Sequence, residues 1–215
     1  MRLFTPTGNR RLNELAGFVC LAASAILLLS LVSYSPLDDS FNVAGPAVTG
    51  AGAAARNWIG PFGAHISDLA FQGFGLAAFL LPMGLGVFGV RWFRSRPIPS
   101  PVVKACGFVL LLISAAALCA QAGAPAMRGL IPPGGLVGAL AGHGLRSAFN
   151  PLGANLVAGS ALIVALFLTT RFSFSGAAAW IGGPMAGWQP FAPLAAKWAA
   201  WRAAREQARQ RKRLA

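Results

Sequence analysis

The side chains with which this chain could do chemistry are few. Its lysines are Lys104, Lys197 and Lys212, preceded by Val103, Ala196 and Arg211. A phosphate-cradling P-loop needs Lys directly after Gly, so the chain encodes no nucleotide site of that kind. His65 and His143 stand in glycine-rich stretches, with no second metal ligand at helical spacing from either. They read as structural or solvated residues. Cys20, Cys106 and Cys119 fall inside apolar runs and read as small apolar residues, since an odd count in such positions makes a poor disulfide framework. Catalytic, cofactor-binding and metal-binding residues are therefore expected to be none.

The elements that would have to position any site are dictated by hydrophobicity. The 215 residues carry a net charge of +13, yet only 11% are charged. Apolar residues make up roughly two thirds once the 26 glycines are counted, against about half in soluble domains, so a soluble globular domain is excluded. A helix crossing the ~30 Å hydrocarbon core needs about 20 mostly apolar residues. Four windows qualify, predicting helices over about 15–33, 69–90, 105–124 and 152–170. The first is too long for a signal-peptide core and lacks a small-residue cleavage site, so it is expected to be retained. Residues 172–196 are uncharged too, but Pro184, Pro190 and Pro193 disfavour a fifth span.

Lysine and arginine near helix ends mark the cytoplasmic side. All but three of the 18 basic residues fall in segment 1–14, in the connection holding Arg91, Arg94, Arg96 and Lys104, or beyond Thr170. Both termini are therefore expected in the cytoplasm, with only Arg56, Arg128 and Arg146 opposite. Residues 171–215 read as an interfacial segment leading into a basic amphipathic tail. Its Arg202, Arg205, Arg209, Arg211, Lys212 and Arg213 would meet anionic lipid or, less directly, DNA. The four windows contain no ionisable residue, which disfavours an ion-coupled transporter. Gly134, Gly138 and Gly142 recur at every fourth position in a stretch, 130–145, expected to form a short external helix on the membrane surface or tucked into the bundle. Such spacing serves packing within the chain or self-association. The expected fold is thus an all-α membrane protein with four transmembrane helices, a short external surface helix and a basic cytoplasmic tail.

Particular residues carry a resemblance. After the first window comes Ser33-Tyr34-Ser35-Pro36-Leu37-Asp38-Asp39-Ser40, then Asn57-Trp58-Ile59-Gly60-Pro61-Phe62-Gly63-Ala64-His65-Ile66-Ser67-Asp68. Phe71, Phe74-Gly75, Pro82 and Arg91-Trp92 continue the pattern, followed by Gly134-Gly135-Leu136-Val137-Gly138 and Gly153-Ala154. Over about residues 10–183 the chain resembles the N-terminal four-helix membrane domain of the FtsK/SpoIIIE family of bacterial DNA translocases. Asp39 stands where that family usually has Pro, and Ser67 where Ala is common. The resemblance implies a membrane anchor and scaffold at the division septum, in the bacterial inner membrane, coupling division to chromosome segregation. It also implies homo-oligomers, hexameric in the motor, contacts with other division proteins, and DNA contact through a motor using ATP and magnesium. That motor's motifs are not in these 215 residues, so the chain is expected to be the membrane part of a longer protein. Tyr34, Asp38, Asp39, Gly60, Gly63, Ala64, Asp68, Gly134 and Gly138 are the candidate partner-contact residues. For Asp38 and Asp68 helix or turn capping is the simpler expectation, and for Gly60 and Gly63 a positive φ. The competing function is a channel or transporter, including a DNA-conducting pore built from assembled domains.

Overall fold

The computed structural model describes residues 6–41, 55–123 and 131–170. All lie within the first of two units of the chain, Met1–Arg171. The interfacial segment and basic tail expected over 171–215 lie outside the described residues, as do Arg128 and Leu130. Every regular element described is helical: α1 (Arg10–Val32), α2 (Pro61–Phe74), a 3-10 turn (Gly75–Phe79), α3 (Leu80–Phe93), α4 (Pro101–Ala122), α5 (Gly135–Ala148) and α6 (Pro151–Thr169). With α2, the 3-10 turn and α3 taken as one continuous unit, four helices are long and apolar enough to cross a membrane.

Three starts differ from expectation, each for a local reason. α1 begins at Arg10 rather than near Leu15, because the Asn9 side chain accepts from the backbone N–H groups of Arg11 and Leu12. Arg10 and Glu14 then pair across the first turn at 2.8 Å. The second span begins at Pro61 rather than Leu69: proline fits the first helical position, and Gly60 before it takes φ +77°. His65 and Asp68, placed outside the spans by hydrophobicity, are therefore helical. The 33-residue unit Pro61–Phe93 is about 50 Å long, more than the hydrocarbon core needs. α4 likewise starts at Pro101, ahead of the expected Ala105.

α1 and α3 pack antiparallel. Gly17 lies so close to the Phe93 backbone that a Cβ there would clash, and the Ser24 hydroxyl donates to the Pro82 carbonyl at 2.6 Å. α4 and α6 form a second antiparallel pair, with Gly107 against Leu168 and Thr169. The two pairs are joined where the second span breaks. Gly75, at φ +56°, ends α2, and the N–H of Leu76 donates to the Pro133 carbonyl at 2.9 Å. A backbone donor displaced from its helix is thus satisfied by the segment leading into α5. α5 then lies on α4, with Gly134 and Gly138 against the Ala116 carbonyl. The glycine repeat therefore packs within the chain. Leu31, Phe71, Ala78 and Ile131 close the centre. Leu15, Phe18, Leu152 and Leu156 are exposed, as befits helices whose outer solvent is lipid.

Candidate functional site

The motif residues after α1 and before α2 converge into one polar clasp. Asp38 is buried, and its carboxylate accepts from the backbone N–H groups of Arg56 and Asn57, both at 2.8 Å. These bonds tie the turn closed by Asp38 N–H to the Ser35 carbonyl onto the segment that enters α2. Asn57, also buried, donates from Nδ2 to the Ser30 carbonyl at 2.8 Å, while its own backbone carbonyl accepts from Gly60 N–H. The Ser33 hydroxyl accepts from Trp58 N–H. Serving two backbone donors at once, a carboxylate makes charge-assisted bonds roughly twice as strong as neutral ones. Asp38 is thus neither a helix cap nor an outward docking group.

Asp68 sits two turns into α2 and is buried. It accepts from the Tyr34 hydroxyl at 3.2 Å and from Gln72 Nε2 at 2.8 Å, so it too bridges elements instead of capping one. The Tyr34 ring stands edge-on to Phe71, at 5.0 Å between centroids. Burial first, and then the Asp68 carboxylate beside it, push the Tyr34 hydroxyl up to about 12.

Gly60 does adopt the positive φ expected of it. Gly63 does not: it is helical, and its missing side chain makes room for the Asn57 amide, Ile59 and Ser30. Ala64 is buried beside it, and Asp39 is exposed. Gly134 and Gly138 lie apart from the clasp, on α4. The six tail cations, Arg202 to Arg213, lie outside the described residues.

Four members of the clasp, Ser30, Ser33, Asn57 and Ser67, are not among the candidate contact residues. Asn57 and Ser67 belong to the motif that opens α2, but nothing in sequence spacing marks Ser30, which bonds the Ile26 carbonyl one turn back and faces Gly63. Ser67, where Ala is common in the resembled family, donates to the Gly63 carbonyl at 2.8 Å, so the hydroxyl is accommodated within α2. Among the described residues no three His, Cys, Asp or Glu side chains gather as a metal site would require.

Apolar helices able to cross a membrane four times, tied at one end by a polar clasp, define an all-helical multi-pass membrane protein. Residues 9–182 match the family described as the 4TM region of DNA translocase FtsK/SpoIIIE, and the chain belongs to that family. Among its relatives, a DNA translocase FtsK of Azospirillum brasilense is 32% identical over 170 residues, covering 75% of this chain and 26% of the relative. The DNA translocase FtsK of Shewanella oneidensis is 26% identical over 183 residues, covering 82% and 19%. The Caulobacter vibrioides protein of the same name is 40% identical over 74 residues, covering 34% and 8%. The chain thus spans about a quarter or less of the length of these relatives. No solved structure matches it.

Proposed function

We propose that this chain is the membrane anchor and septal scaffold of an FtsK-type DNA translocase, tethering an ATP-driven motor where a closing septum would trap chromosome. The observation that carries the reading is the family match over 9–182, in relatives named DNA translocases whose greater part lies beyond the matched region. The charge bias supports it, since cytoplasmic termini would present a motor to the chromosome. DNA contact, ATP and magnesium belong to that motor. The three lysines here lack the Gly-Lys step a phosphate cradle needs.

The clasp sharpens how a scaffold would work. Asp38, Ala64 and Asp68 are buried, so their part is to hold a surface in shape. Contact with other division proteins falls to exposed neighbours on the same segments, Trp58 and Phe62 among them. The basic tail, Arg202 to Arg213, would hold the start of the cytoplasmic linker against anionic lipid, and oligomers would match the hexameric motor. A fluorescent protein fused after Ala215 and imaged in dividing cells tests the reading. A band at midcell is expected, and uniform membrane fluorescence throughout constriction would sink it.

A further inference from the structure

Between α1, α3 and the connection after α3 runs a groove of about 850 Å³ that the clasp and the helix pairing leave unexplained. One end is apolar, walled by Leu28, Met83 and Val87, while Arg91, Arg94 and Arg96 line the other. The arginines are gathered by the end of α3. Ser95 takes φ +48°, and the chain turns back so that Arg96 N–H reaches the Arg91 carbonyl at 2.9 Å and Ser95 N–H reaches the Trp92 carbonyl at 2.8 Å. This is the Schellman turn, usually built on glycine. The opposite wall is held by the Ser24 to Pro82 bond, and Gly86 faces Ser24 with no side chain of its own. Among the described residues no carboxylate pairs with the three guanidinium groups, Glu14 being bonded to Arg10, Asp38 and Asp68 committed to the clasp, and Asp39 following Asp38 beyond the other end of α1.

We propose that this groove is a binding site for one anionic glycerophospholipid, its phosphate on Arg91, Arg94 and Arg96 and an acyl chain along Met83, Val87 and Leu28. The dimensions select that occupant. Met83 to Arg94 is eleven residues of helix, a rise of about 16 Å, which is half of the ~30 Å hydrocarbon core and hence one leaflet of acyl chain. A soluble anion has no use for the apolar wall. A second copy of this chain would bring its own arginines against these, and the tail over 194–215 is itself strongly basic. Guanidinium forks suit phosphate oxygens, and the site needs only that the second span cross a bilayer, whatever the protein does at the septum.

The test uses the full chain in mixed phosphatidylglycerol and phosphatidylcholine nanodiscs, released for native mass spectrometry. The expected result is one retained phosphatidylglycerol, enriched about tenfold over phosphatidylcholine and not displaced by inorganic phosphate. Val87→Trp, which fills the groove and leaves every charge in place, is expected to abolish the enrichment, as is the triple Arg91→Gln, Arg94→Gln, Arg96→Gln. A triple change in the tail, Arg209→Gln, Arg211→Gln, Lys212→Gln, removes the same charge and is expected to leave it intact. Unchanged enrichment in Val87→Trp, an equal loss in the tail variant, displacement by phosphate, or a dimer that Val87→Trp dissociates would each overturn the proposal.

Discussion

Tyr34 is the chain's single tyrosine, so its ionisation can be read by tyrosinate absorbance without interference from another phenol. Burial and the neighbouring Asp68 carboxylate raise it from 10.0 to about 12. A raised folded-state value means that the fold favours the neutral phenol. Its contribution to stability is therefore fully present below pH 10 and is lost as pH rises from 10 to about 12. Asp68→Asn removes the charge but not the burial, and is expected to bring the midpoint part of the way back toward 10.0; an unmoved midpoint would mean that the Tyr34 to Asp68 bond does not form. The residue types of this clasp were legible in the sequence, because Tyr34, Asp38 and Asp68 sit in a recognisable motif. Their roles were not. A buried carboxylate serving the backbone N–H groups of Arg56 and Asn57 looks, in one dimension, the same as an exposed one awaiting a partner, since its donors are 18 and 19 residues away.

The four spans were legible for a simpler reason: about 20 uninterrupted apolar residues have few alternatives to a membrane helix. Their starts escape a hydrophobic pattern wherever the first turns are polar or charged, at Arg10–Glu14 and at Pro61–Asp68, because hydrophobicity marks the lipid-facing part of a helix and not its cap. Gly-Pro at 60–61 is the start signal for α2. The break at Gly75 was hidden, since a glycine within an apolar run looks like any other until Pro133 is seen supplying the carbonyl that Leu76 needs. The glycines divide the same way between position and context. A Cβ at Gly138 would strike the Ala116 backbone, whereas one at Gly73 meets nothing within 4 Å. Gly138→Ala is expected to lower stability by about 1–3 kcal/mol by forcing α5 off α4. Gly73→Ala is expected to be neutral or to stabilise by up to about 1 kcal/mol through helix propensity. Thermal unfolding in detergent, followed by tryptophan fluorescence, checks both; equal effects at the two positions would contradict the packing of α5.

Taken over the whole molecule, the charge of +13 is a statement about sidedness. The same arginines that argue for cytoplasmic termini, Arg91, Arg94 and Arg96, also line the groove between α1 and α3, so topology and lipid recognition draw on one cluster. The clasp lies at the other end of α1, holding the segments on either side of residues 42–54 together. The proposed anchor works only if the chain beyond the fourth span emerges in the cytoplasm. Paired reporter fusions test that most directly, with alkaline phosphatase and a fluorescent protein each placed within 42–54, at 96–100, within 124–130 and after Ala215. Phosphatase activity is expected only within 42–54 and 124–130, and fluorescence only at 96–100 and after Ala215. Phosphatase activity after Ala215 would put the exit of the fourth span on the outer side and contradict cytoplasmic termini.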